Sequence, residues 1–182
     1  MSQSRIGITA RWWLAMAALV LAAAPAGTRA SPFAVNTVVE LDAPLQTGDY
    51  FWDEDNVPRG RRAIVVDLSA DRIYVYRAGI EIGRSSVIHG FDDYPTPTGV
   101  FRILEKDADH YSSTYGGAPM PWMLRLTWGG VAIHGSEVDD ESATHGCIGV
   151  PDEFAEILYS AMRLGDPVLV TRGWMRGDYR NP

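Results

Sequence analysis

The chain has one cysteine and four histidines, and the cysteine, Cys147, sits in the segment "ATHGCIGV", Ala143 to Val150. A thiol attacks a carbonyl carbon as thiolate, so it needs a base within hydrogen-bond reach and donors for the developing oxyanion. His134 ends the apolar run "GGVAIHG", and the 12 residues between it and Cys147 are enough to loop back and bring ring and sulfur together. A strand end holds an imidazole rigidly, as a general base requires. The backbone carbonyl of Gly135, or another nearby acceptor, would hold the other ring nitrogen. His145-Gly146-Cys147 reads as a tight turn whose amides can face a substrate oxygen, Gly146 permits close approach, and the Thr144 hydroxyl braces the loop. A helix starting near Pro151 would point its positive end at the thiolate.

Two other readings compete. Cys147 as a buried small hydrophobe with a satisfied strand-end histidine leaves the glycines around it unexplained. A metal held by His134, His145 and Cys147, with His89 or His110, matches no zinc spacing and has no second cysteine. No metal and no cofactor are expected.

The compartment bears on the thiol. Arg5 and Arg11 precede the uncharged run Trp12 to Ala24, whose 13 residues are short for a membrane span and typical of a signal-peptide core. Residues 1–30 read as a signal peptide cleaved after Ala26 or Ala30, or else as an uncleaved anchor giving the only membrane contact, and the protein is expected in the periplasm or cell envelope of a bacterium. Without those residues three arginines and no acid are lost, so 13 basic residues face 23 acidic ones, a formal charge of −10. Nucleic-acid binding, which rests on neutralising phosphates, is excluded as a function class. Exported proteins use cysteines in pairs, so a single one points to an intermolecular bridge or a reactive thiol.

The elements that would position these residues are mostly strands. Residues 31–61 form an irregular N-terminal extension, with a short strand near Thr37 to Leu41. "RAIVVDLSADRIYVYRAG" is a hairpin, "IEIGRSSVIHG" a third strand, and "YPTPTGVFRILEK" a rigid turn followed by a strand. "DADHYSSTYGGAPMP" reads as a long surface loop, a lid. "WMLRLTWGGVAIHG" reads as two strands joined at Gly129-Gly130. "PDEFAEILYSAMRLG" carries helix start and stop signals, with Phe154, Ile157, Leu158 and Ala161 as its apolar face and Gly165 as terminator. "DPVLVTR" is a last strand, and 173–182 a tail. The expected fold is mainly β, of mostly antiparallel strands, with the cysteine on the loop before a helix.

The strand-end "GGVAIHG" followed by "THGCIGVP" and a helix resembles the catalytic segment of the L,D-transpeptidases, the YkuD-type domain, and "IVVDLSADRIYVYRAG", "TPTGVFRI" and "MPWMLRLTWGGVAIHG" extend the resemblance over residues 62–172. It implies a β-sandwich with one or two short helices, acting on peptidoglycan stem peptides as a tetrapeptide donor and an amine acceptor. It implies Cys147 as nucleophile, His134 as base, the Gly135 carbonyl as orienting acceptor, and the Gly146 and Cys147 amides in the oxyanion hole, with His145 as the motif histidine. Cys147 would attack the carbonyl of the third stem residue, release the terminal D-alanine and pass the acyl group to a stem amine or a protein amine. If water takes the acyl group instead, the protein is an L,D-carboxypeptidase. A rival of another class is a wall-binding domain without catalysis. Two positions depart from the family pattern: Thr144 stands for the usual serine, and Gly149 for the usual Arg or Asn. The second removes a polar side chain beside the nucleophile, for which Arg125, Arg84 or Arg163 would have to substitute.

Tyr111, Tyr115, Trp122 and Arg125 are candidate substrate contacts. The acidic loop with Glu137, Asp139, Asp140 and Glu141 reads as a solvated face, or as a lure for the acceptor ammonium whose effect would fade with salt. If His134 activates Cys147, alkylation should begin well below the ordinary thiol pKa of about 8.5.

Overall fold

The computed structural model describes residues 31–174. Residues 1–30, read from the sequence as a signal peptide, and residues 175–182 lie outside the described residues. Ten strands and one helix follow in the order β1 (Tyr50–Trp52), β2 (Arg62–Asp67), β3 (Arg72–Arg77), β4 (Ile80–Ser86), β5 (Gly99–Arg102), β6 (Glu105–Tyr111), β7 (Pro119–Arg125), β8 (Ala132–Gly135), β9 (Ile148–Val150), α1 (Asp152–Ala161) and β10 (Pro167–Thr171).

The hydrophobic runs in β2 and β3 are nearly continuous because both faces of their sheet are covered. Ile64, Val66, Ile73 and Val75 point inward to the main core. Their neighbours Ala63, Val65, Tyr74 and Tyr76 point outward and are covered by Phe33 and Trp174, one from each end of the described chain. The Trp174 indole donates to the Tyr76 hydroxyl at 3.0 Å. Ala78 and Gly79 join β3 to β4 with positive φ at both positions, the geometry whose twist matches a two-residue hairpin. The six strands run β1-β4-β3-β2-β10-β5, and the second sheet runs β6-β7-β8-β9. Pairing is antiparallel except for β10 on β2 and β9 on β8. Phe154, Ala155 and Leu158 of α1 are buried, and the Phe154 ring meets Tyr50 and Trp52 at 5.7 and 5.9 Å.

Five expectations change. The long lid is mostly a hairpin: Asp107 to Tyr111 pairs with Pro119 to Met123, leaving a loop of residues 112–118. β6 is the edge of its sheet, where solvent-facing polar residues are ordinary, and that polarity reads as loop. "TPTGVFRILEK" holds two strands in different sheets, β5 and the start of β6. In place of a strand at 37–41 there is a single bridge, Thr37 to Ile80, and the extension pairs through β1 on β4. The β7–β8 turn is closed by the Gly130 N–H donating to Thr127 O at 3.2 Å, so its central pair is Trp128-Gly129. The helix also ends before Gly165, where Met162 turns extended, and Lys106 Nζ donates to the carbonyls of Tyr159 and Met162.

Candidate active site

Parallel pairing of β9 on β8 sets His134 opposite Gly149 and Ile133 opposite Ile148. Cys147, one residue earlier, therefore falls beside Ala132, on the same face as His134, because side chains two apart on a strand share a face. Cys147 and His134 line one cleft of about 310 Å³, together with Thr144, His145, Tyr115 and Arg125. A larger groove of about 770 Å³ runs between residues 35–44 and Arg84, and neither the thiol nor a histidine lines it, so the smaller cleft is the candidate site.

His134 is 9% exposed. Its Nδ1 sits 2.7 Å from Gly135 O, and a carbonyl only accepts, so Nδ1 carries the hydrogen and Nε2 keeps its lone pair. Burial, ahead of the Gly135 bond that opposes it, lowers the pKa of His134. Burial likewise raises the Cys147 thiol, against the Ala132 N–H and the Arg125 charge, which favour the thiolate. The sulfur donates to Gly130 O at 3.4 Å. Burial thus works against the charged form of both groups, the imidazolium and the thiolate. A thiol raised by burial argues against the early onset of alkylation expected from the sequence.

Two groups of the site were not found from the sequence, one at His134 and one under the cysteine turn. Asp152, the first residue of α1, faces Gly135 so closely that a Cβ on that glycine would lie 2.4 Å from its Oδ1, and its charge favours protonated His134. An acid in the first turn of a helix reads as a dipole partner, which hid it. Its position also shows that the start of α1 lies at the His134 strand end, with β9 between it and the cysteine. The other is Thr96, 2% exposed. Its hydroxyl accepts the Gly90 N–H at 2.9 Å and lies 3.1 Å from Gly146 O and 3.3 Å from Cys147 O. A Cβ on Gly90 would lie 2.0 Å from Tyr94 O and 2.6 Å from Gly146 N. The segment from Gly90 to Thr96 is therefore the mould for the cysteine turn, in which Gly146 takes φ +103° and Thr144 Oγ1 donates to Cys147 O at 2.5 Å.

The remaining candidates divide. Tyr115, on the loop of residues 112–118, stacks on the His145 ring at 4.5 Å, and Tyr94 meets its edge at 4.9 Å. Tyr111 is exposed and does not line the cleft. Trp122 packs on Tyr159 of α1 at 5.6 Å, away from the thiol. Of the acidic loop, Asp139 caps its own turn by accepting the Glu141 and Ser142 N–H groups, and Asp140 accepts the Thr47 hydroxyl. His89 is fully buried against Gly90 O, Leu68 O and Asp71. Among the described residues no group of three His, Cys, Asp or Glu converges as metal ligands would, and no helix is long and apolar enough to cross a membrane.

A family model for the L,D-transpeptidase catalytic domain, YkuD, matches residues 61–170. The chain belongs to the YkuD L,D-transpeptidase family. It is 28% identical to L,D-transpeptidase 5 of Mycobacterium tuberculosis over 167 residues, covering 81% of this chain and 37% of that relative. It thus spans little more than a third of that relative's length. An L,D-transpeptidase from M. tuberculosis H37Rv superposes with TM-score 0.56 at 27% identity, over 60% of this chain and 57% of that one. L,D-transpeptidase 3 from M. tuberculosis, in complex with a faropenem-derived adduct, superposes with TM-score 0.56 at 25% identity, over 61% of this chain and 60% of that one.

Against this family background Gly149 has a steric reason. It exchanges two backbone hydrogen bonds with Ile88, at 3.0 and 2.9 Å, and a Cβ there would lie 2.7 Å from Ile88 Cγ1 and 2.9 Å from Ser136 Cβ. Ile88 fills the space that a longer residue would need. Restoring the family residue, Gly149→Arg, should therefore destabilise the domain by roughly 1–3 kcal/mol, the usual cost of overpacking, seen as a lower Tm. Ile88→Ala in the same chain should recover part of the loss. An unchanged Tm for the single variant would refute the steric account.

Proposed function

We propose that the protein is a cysteine-dependent L,D-transpeptidase of the bacterial cell envelope, exported by residues 1–30, which joins peptidoglycan stem peptides through a thioester acyl-enzyme. One observation carries this reading: His134, its Nδ1 committed to Gly135 O, presents a free Nε2 lone pair in the cleft that holds the only cysteine. Nε2 takes the thiol proton as Cys147 Sγ attacks the carbonyl of the third stem residue. The Gly146 N–H, which donates to no protein acceptor among the described residues, receives the oxyanion together with the Cys147 N–H. His134 returns the proton to the departing D-alanine amine, then takes one from the acceptor amine as the thioester is cleaved. Asp152 steadies the imidazolium that forms in each half-reaction.

The faropenem-derived adduct on the M. tuberculosis relative supports a site that accepts an acyl group. The test is mass spectrometry of disaccharide-tetrapeptide muropeptides incubated with the protein. A dimer formed with loss of one alanine is expected. A tripeptide monomer alone would make water the acceptor and the protein a carboxypeptidase, and no product at all would remove the reading.

A further inference from the structure

The cleft beside the thiol contains one guanidinium, that of Arg125. The other two arginines that could replace a cation missing at position 149 are placed elsewhere. Arg84 is bound to the buried carboxylate of Glu81 through Nε and Nη2, at 2.8 and 2.9 Å, and Arg163 lies beyond the end of α1, outside the cleft.

Arg125 ends β7 opposite Glu105 of β6. Its side chain is 16% exposed. Nε donates to Glu105 Oε2 at 2.5 Å and Nη2 to His110 Nε2 at 3.5 Å. An arginine only donates, so His110 Nε2 accepts and its Nδ1–H is directed to Asp107 Oδ2, 3.0 Å away. Glu105 alone would satisfy a structural ion pair. The Asp107–His110 prop fixes a second edge of the guanidinium plane, while Nη1 donates to no protein group among the described residues. Three hydrogens of a held, planar cation, two on Nη1 and one on Nη2, are thus open in the cleft that holds the sulfur, and the charge favours the thiolate. In a chain this acidic, an anionic ligand meets a repulsive surface everywhere that a local cation does not reverse the sign.

We propose that Arg125 is a specificity-determining residue that receives a carboxylate of the peptide bound in the cleft, through Nη1 and Nη2, the fork geometry that suits a carboxylate. Where the family pattern has Arg or Asn on β9, this chain has Gly149, and the polar group offered to the cleft comes from β7 instead. The assignment to a stem peptide rests on the proposed function. The carboxylate site itself does not.

The first experiment is therefore independent of turnover: alkylation of Cys147 in the full-length protein by iodoacetate and by iodoacetamide at one pH. The ratio of the two rates cancels the ionised fraction of the thiol and reports attraction of the anionic reagent. Arg125→Gln should lower that ratio by roughly fivefold or more, the scale of one partly screened unit-charge contact, with the iodoacetamide rate serving as control for an intact cleft. Glu105→Gln leaves the guanidinium and removes its neutralising partner, so it should raise the ratio, and it serves if Arg125→Gln does not fold. A ratio that moves in neither variant overturns the site. The second experiment distinguishes the source of the carboxylate. Of tetrapeptides amidated either at the C-terminal D-alanine or at the side-chain carboxylate of the third residue, one should show a raised KM in the wild-type protein and lose that penalty in Arg125→Gln. If the alkylation ratio responds and neither amidation matters, the carboxylate site stands and the stem peptide is the wrong ligand.

Discussion

Incubated with imipenem, the wild-type protein should gain the mass of one drug molecule, and Cys147→Ala should gain none. A β-lactam carbonyl is acylated onto a nucleophile by the same attack that the proposed reaction uses, and Cys147 is the one thiol in the chain. The substitution is mild structurally: the sulfur's own donation is a single 3.4 Å contact to Gly130 O, and the turn around it is held by Thr96 and Thr144 through backbone carbonyls. The variant should therefore keep its Tm while losing the adduct and all muropeptide turnover. An adduct that persists on Cys147→Ala would place the nucleophile elsewhere and dismantle the mechanism.

Replacing His134 by alanine should lower kcat/KM by roughly 10²–10⁴-fold, the range for a positioned general base. The pH profile carries the finer information. Burial penalises the charged imidazolium, so His134 loses its proton at a lower pH than a free imidazole, whose pKa is about 6.5, and kcat/KM should rise through that lowered value and be flat by neutral pH. The thiol moves the other way, so iodoacetamide alkylation should climb only above the ordinary thiol value of about 8.5. Full turnover at a pH where alkylation is still slow is the signature of a neutral pair that transfers its proton during attack. Alkylation that starts below that value would reveal a resting thiolate–imidazolium pair instead.

Much of the site is legible locally, because its chemistry lies in one stretch. The strand-end His134-Gly135 and the turn His145-Gly146-Cys147 are separated by a single loop, and each glycine signals a close approach. The β2–β3 hairpin and α1 are equally local, written in β-branched runs for the one and in Pro151, first-turn acids and an apolar face for the other. What escapes is set by contacts between distant segments. Thr96 belongs in sequence to a proline-rich turn, and only folding brings it under the cysteine turn. Asp152 looks like a helix-start acid until β8 and α1 pack together. Parallel pairing of β10 with β2 joins residues about a hundred positions apart, and no alternation of apolar residues encodes a partner. β6 was lost to its own polarity, since an edge strand facing water has the composition of a loop.

The outer face of the six-stranded sheet is closed by Phe33 and Trp174, both outside the 61–170 stretch that the family shares. Family resemblance and core packing therefore draw different borders on this chain. The shared stretch holds the candidate site, and a flank from each end of the described residues serves as half of a clasp over Tyr74 and Tyr76. Take the bulk away at either half, and the two tyrosines on the outer face of the sheet lose their shelter from water.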